Sequence, residues 1–159
     1  MIHLDTNYLI GLPVKGSAVA LHVNGWLATG ESFAASAIAW TEFLNGPVTP
    51  LAVKRAEAVL ESRIIPFGHV EAVLAAELFN KTGRRRGSRF DCLIAATAIL
   101  AQAEVATVNE SDFKVFVAHG LKVAVAPPPP EGGTPNNYRA CPFMKIKVAI
   151  VKRVTSHIE

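Results

Sequence analysis

The sequence predicts an α/β protein, a three-layer α/β/α sandwich around a central parallel sheet, followed by a C-terminal extension. Two observations point to the fold and a third to the extension. Short β-like runs alternate with helical patterns along the chain, which implies βαβ units with helices on both faces of the sheet. Half of the 159 residues are hydrophobic and 18% are charged, a composition able to bury a core within one domain. At "PPPPEGGTPNN", residues 127–137, prolines and glycines exclude helix and favour an extended linker. The folded domain is therefore expected to span residues 1–126, with the linker at 127–137 and the extension at 138–159.

Taken in order, "MIHLD" reads as a short buried strand, followed by helices around Tyr8–Leu12 and Ser17–Thr29. "SFAASA", Ser32–Ala37, suits a second strand, and "AWTEFLNG" a short helix ended by Asn45 and Gly46 with Pro47 beyond. "PLAVKRAEAVLES" is amphipathic, with Leu51, Val53, Ala56, Val59 and Leu60 expected inside and Lys54, Arg55, Glu57 and Glu61 outside. "SRIIPF" reads as a strand and Gly68–Lys81 as a helix. The most apolar helix is "RFDCLIAATAILAQAE", whose alanines at 95, 96, 98 and 101 allow close approach to a sheet. "VATV" and "LKVAV" supply the last two strands. The extension contains "KIKV", residues 145–148, which alternates like a strand.

Several functional classes are disfavoured at this level. No apolar run reaches the roughly 18 residues needed to span a bilayer, and the start lacks a basic region followed by a hydrophobic stretch, so a cytoplasmic protein without membrane contact is expected. Cys92 and Cys141 lack paired-ligand spacing. His3, His22, His69, His119 and His157 also show no paired spacing and are read as structural, as Trp26 and Trp40 are read as core. The net charge of +3 is unevenly placed. Residues 1–126 hold 11 basic and 11 acidic side chains, and residues 127–159 hold 5 and 2. Net charge therefore gives the domain itself little claim on nucleic acid. Its one dense basic cluster is "GRRRGSR", with Arg84, Arg85, Arg86 and Arg89, which could bind RNA phosphates or serve as a solvated loop.

The chemistry lies in the acids. Sites in parallel sheets form outside the C-terminal ends of the strands. Asp5 ends the first strand, Glu42 lies on the helix after the second, and Asp112 follows "VATV". Asp91 opens the helix preceding that strand, and a helix antiparallel to the sheet brings its N-terminus to the same edge. Each acid has a local explanation when taken singly. Asp5 can cap a helix, Ser88 and Asp91 in "SRFD" form a capping-box-like start, Glu42 can be a solvated helical glutamate, and in "NESD" Asn109 can cap while Glu110 and Asp112 favour the first turn. Caps do not explain four carboxylates directed to one rim without a lysine or arginine spaced to neutralise each. Clustered like charges raise one another's pKa unless a cation sits among them. A hard divalent ion such as Mg²⁺ or Mn²⁺ meets that need, and metal-dependent hydrolysis of nucleic acid is the expected function.

Four blocks, "MIHLDTNYLIGL", "AWTEFLNG", "DCLIAATAIL" and "TVNESDF", in this order and spacing, resemble a PIN domain of the VapC type, the toxin component of bacterial and archaeal toxin–antitoxin pairs. The resemblance covers Met1 to about Ala126. It implies an α/β/α sandwich, a Mg²⁺- or Mn²⁺-dependent endoribonuclease acting on RNA, a homodimer, and inhibition by a VapB-type antitoxin whose extended segment covers the acidic site. Asp5, Glu42, Asp91 and Asp112 match the family's catalytic acidic quartet. Asp5 and Asp91 are expected to hold the principal metal ion, with Asp112 as a further ligand and Glu42 and Asp112 acting through water or a second ion. Thr6, Asn7, Thr107 and Asn109 match supporting polar positions, and Glu110 is an extra acid whose part is open. The extension departs from the family's usual short ending.

Other readings fit less well. A phosphoacceptor receiver domain wants adjacent acids after the first strand and a lysine after the last, whereas here Asp5 stands alone and Lys122 enters the last strand. A dinucleotide binder needs a glycine-rich turn that "DTNYLIG" lacks. A catalytically silent binding or dimerisation module of the same fold is the nearest rival, and the intact quartet argues against it.

Overall fold

The structure, a computed structural model, describes residues 1–84 and 86–127, with only the backbone of Arg86. The remainder of the linker and the whole extension lie outside the described residues. Among the described residues, five strands form one parallel sheet in the order β3-β2-β1-β4-β5. They are β1 (Ile2–Leu4), β2 (Phe33–Ser36), β3 (Ile64–Ile65), β4 (Glu104–Ala106) and β5 (Lys122–Val123). On β1, Ile2 lies opposite Phe33 of β2 and Glu104 of β4, and Leu4 lies opposite Ala106. Every residue of β1 and β2 is buried, as expected for central strands covered on both faces.

From β1 the chain steps outward to β2 and β3, then returns past β1 to β4 and β5. Right-handed crossovers therefore put α1 (Thr6–Gly11), α2 (Ala18–Ala28), α3 (Ala37–Asn45) and α4 (Pro50–Leu60) on one face of the sheet. By the same rule α5 (His69–Lys81), α6 (Arg89–Leu100) and α7 (Glu110–Lys114) cover the other. The reversal lies between β1 and β4, and the crevice at their C-terminal ends is the fold's natural ligand site.

Local chemistry starts these helices where they are needed. Ser17, Ser36 and Thr49 each accept a backbone N–H three residues on, at 3.0–3.2 Å, and Pro50 adds its preset φ to the first turn of α4. For α5 the Glu71 carboxylate reaches back to the Gly68 N–H at 2.9 Å, which is half of a capping box. Between α1 and α2 the approach is too close for a side chain, since a Cβ on Gly11 would lie 2.9 Å from Val19. On α6, Cys92, Ile94, Ala95, Ala96, Thr97 and Ala98 are all buried, so the helix lies against the sheet on small residues. The largest side chains shut off from solvent almost completely are Phe33, Phe43, Phe113 and Phe116, with Trp26 buried beside them at 5% exposure.

The structure corrects the expected elements in four places. Leu51, assigned to the core, is 58% exposed, because the buried stripe of α4 runs through Ala52, Ala56, Val59 and Leu60. The apolar helix ends at Leu100, where Gln102 turns to φ 52, and Glu104 is released to pair with Ile2 in β4. Thr107 and Val108, expected in that strand, leave the sheet for the site described below. Ser88 and Asn109 stand at N-cap positions but make no side-chain cap bond. Their ψ values of 13° and 59° differ from the 152–154° of the working caps Ser17, Ser36 and Thr49, and so do not aim a side chain at the free N–H groups.

Candidate functional site

Asp5 leaves β1 with extended backbone (ψ 163°) and caps α1, its Oδ1 accepting the Thr6 N–H at 2.7 Å. Its other oxygen is engaged across the switch point. Oδ2 accepts from Asn7 Nδ2 at 2.7 Å and from the Thr107 hydroxyl at 2.8 Å, Thr107 being the residue after β4. Asn7 also donates to Thr107 Oγ1 at 3.1 Å and accepts the Val108 N–H on Oδ1 at 3.0 Å. Thr107 Oγ1 in turn accepts the Asn109 N–H at 3.0 Å. The ends of β1 and β4 are thus tied by a closed set of hydrogen bonds around one buried carboxylate. With two donors on Oδ2 and one on Oδ1, Asp5 keeps a free acceptor position only on Oδ1.

The second strand contributes through α3. Half-buried Glu42 accepts the Thr6 hydroxyl on Oε2 at 2.7 Å, so one carboxylate rides on the residue that another caps. Asp91, in the first turn of α6, completes the inner group. Its carboxyl is raised to about 6, chiefly by burial and then by the negative charges of Asp5, Asp112 and Glu42. Burial also raises Asp5, against the hydrogen bonds from Thr107, Thr6 and Asn7 that favour its anion, and Glu42 adds to the rise. Asp112 sits exposed at the outer rim. The charges of Asp5, Asp112 and Glu42 thus all bear on Asp91, and that of Glu42 on Asp5, which brings the expected quartet together around Asp91.

Other expected residues divide between this network and its surroundings. Thr6, Asn7 and Thr107 belong to it through their side chains, while Asn109 enters through its backbone N–H. The charge of Glu110 acts on Tyr8, adding to burial in raising that phenol. The Tyr8 hydroxyl meets His22 Nδ1 at 2.9 Å, beside Trp26. Tyr8 and the backbone of Val108 were not singled out in the sequence. Their only signal was adjacency to Asn7 and Thr107. Of the arginine cluster, Arg84 donates to Asn80 at 3.0 Å and Arg89 lies over the Phe79 ring at 5.8 Å. Arg85 and the Arg86 side chain are outside the described residues. Ion pairs among the described residues involve only Glu31, Glu61 and Glu77 on the acidic side.

The donor set suits an oxygen-seeking cation. Four carboxylates, three of which bear on the charge of Asp91, offer hard oxygen ligands, with one open acceptor position on Asp5. Asp5, Asp91 and Asp112 do not form a closed cage. Among the described residues no group of three or more His, Cys, Asp or Glu side chains is placed to hold a metal as it stands. Mg²⁺ does not require one, since it retains several waters and takes one or two carboxylates directly. No helix among the described residues is long and apolar enough to cross a membrane.

Comparison with known proteins agrees with this geometry. The chain is similar to the solved structures of FitAcB from Neisseria gonorrhoeae (24% identity, TM-score 0.58, 78% of this chain and 97% of that one) and of VapBC2 from Rickettsia felis bound to a promoter DNA fragment (23%, 0.58, 78% and 98%). It is also similar to a toxin–antitoxin complex from Klebsiella pneumoniae (26%, 0.55, 71% and 90%). No curated protein sequence matches significantly. Residues 2–117 match the PIN domain. With the five-stranded parallel sheet and the acids gathered at its switch point, that match establishes that the chain belongs to the PIN domain family.

Proposed function

We propose that the protein is a metal-dependent endoribonuclease and the toxin of a toxin–antitoxin pair, acting in the cytoplasm. The observation that carries this reading is the convergence of Asp5, Glu42, Asp91 and Asp112, with Asp91 raised to about 6 by burial and the three other charges. Asp5 and Asp91 would hold the principal Mg²⁺ or Mn²⁺ directly, with Asp112 as a further ligand and Glu42 acting through water or at a second ion. When bound, the metal supplies an activated water and neutralises the leaving oxygen of the phosphodiester.

The chain's own residues orient this site. Thr107 and Asn7 fix the Asp5 carboxylate through its Oδ2, and Thr6 holds Glu42 at its Oε2. Asn109 acts through the backbone bond that anchors Thr107. Glu110, whose charge is felt at Tyr8, belongs to the surroundings of the site and not to its ligands. The similar structures include toxin–antitoxin complexes, some with DNA, and this supports an antitoxin of the VapB type as partner. A homodimer and an RNA substrate are proposed with it.

The test is cleavage of RNA in Mg²⁺ or Mn²⁺ with and without chelator. Wild type is expected to cut only with metal, and Asp5→Asn and Asp91→Asn to lose activity by at least a hundredfold. Cleavage that persists in both variants or in chelator contradicts the metal site. Growth arrest on expression, relieved by a small partner from the adjacent gene, tests the toxin role.

A further inference from the structure

We propose that Tyr8 and His22 are positioning residues for the acidic site, a pair that sets the rotation of α1 and through it the geometry of the hydrogen bonds around Asp5 and Glu42. The proposal rests on the cation-site reading, because it makes the pair responsible for how those two carboxylates are held toward a metal ion. The two side chains bond to each other, at 2.9 Å between Tyr8 Oη and His22 Nδ1, and not to an acid of the quartet. Whatever they do for those acids therefore passes through α1. That helix has only six residues, Thr6–Gly11, short of the roughly 12 at which a helix begins to hold itself in water. Its orientation is set by what its side chains grip.

Successive residues of a helix point about 100° apart, and three in a row on α1 each grip a different part of the fold. Thr6 donates to Glu42 on α3, Asn7 bonds to Thr107 and the Val108 N–H beyond β4, and Tyr8 reaches His22 on α2. The first two grips belong to the acid network, and the third fixes the helix from outside it. Tyr8 is 5% exposed, and its ring lies 6.0 Å from that of Trp26. Half-buried His22 closes the group at 6.1 Å from Trp26, which in turn lies 6.4 Å from Phe33 on β2, so the anchor runs through to the sheet. Burial and the charge of Glu110 raise the Tyr8 phenol, so its hydroxyl keeps its proton at neutral pH and stays able to donate. A turn of α1 about its axis moves Thr6 and Asn7 together. It draws the Asn7 amide away from Asp5 Oδ2 and the Thr6 hydroxyl away from Glu42, whose bonds are both 2.7 Å.

The experiment follows amide hydrogen exchange in the metal-free full chain and then titrates it with Mn²⁺ by electron paramagnetic resonance, so that neither readout needs cleavage. The reporters are the Val108 and Asn109 N–H groups, which bond to the side chains of Asn7 and Thr107. The Ala52 N–H, bonded to Thr49 at the start of α4, is the control. Tyr8→Phe and His22→Leu are each expected to speed exchange of both reporters about tenfold and leave Ala52 unchanged, a local loosening that a general loss of stability does not produce. Each should weaken Mn²⁺ binding about three- to tenfold, less than the roughly 10–100-fold typical of groups bonded directly to metal ligands. The double variant should lose no more than either single one, because both remove the same bond. Wild-type exchange and Mn²⁺ affinity in both variants, exchange raised equally at Ala52, or additive losses overturn the role of the pair. If wild type neither binds Mn²⁺ nor cuts RNA, the metal-nuclease reading falls, and the reporter amides still decide whether the pair holds the bonds around Asp5.

Discussion

Asp91 shows how a single residue can work against the fold that positions it. Its carboxyl is raised from 3.8 to about 6, so between those values the folded protein keeps a proton that the unfolded chain has lost. Metal-free stability should therefore fall as pH rises from about 4 to about 6, and stay reduced above. Asp91→Asn is expected to stabilise the metal-free protein at pH 7.5, by on the order of 1 kcal/mol once screening at a half-buried position is allowed for, with no gain near pH 4. Urea denaturation in chelator at the two pH values measures this. His3 has the opposite sign. It is fully buried on β1, neither ring nitrogen has a hydrogen-bond partner among the described residues, and burial lowers it to about 4. Its neutral form supports the fold above about 6.5, and that support is lost as pH falls toward 4. His3→Leu should flatten the acid limb of the stability curve, and an unchanged limb would assign acid unfolding to other groups. Asp5 and Asp91 were legible in the sequence because parallel-sheet topology alone sends them to one edge. The clamp around Asp5 was legible only as residue types, since its bonds join Asn7 to residues about a hundred positions away.

At the scale of elements, the ends of strands and helices are the working parts. Thr107 is in contact with Asp5, Asn7 and the Asn109 N–H, and Thr107→Val leaves each without that partner. A stability loss of about 1–3 kcal/mol is expected, with a fall in kcat larger than any change in KM, because the Asp5 carboxylate loses its fixed direction. Single-turnover kinetics separates the two parameters. Ser36→Ala removes the cap of α3, the helix that carries Glu42, and should cost about 1 kcal/mol by denaturation. Helix positions were largely visible from apolar period and punctuation. Which caps would function was not, because Ser17 and Ser88 differ in ψ and not in chemistry.

For the whole molecule, the decisive feature is the reversal of strand order between β1 and β4. It sets Asp5 and Thr107 at adjacent strand ends, joined by a hydrogen bond, while crossovers on opposite faces bring in Glu42 and Asp91. Alternation of strands and helices announced a parallel sheet, but not the order β3-β2-β1-β4-β5, which depends on pairings between distant segments. The central claim is that the four carboxylates form one cation site. Its most direct measurement is the melting temperature against Mg²⁺ concentration at pH 7.5 for wild type, Asp5→Asn and Asp91→Asn. Binding to the folded state alone should raise the wild-type value progressively, as RT ln(1 + [Mg²⁺]/Kd) requires, and leave both variants nearly flat. Equal rises in all three proteins would contradict the account.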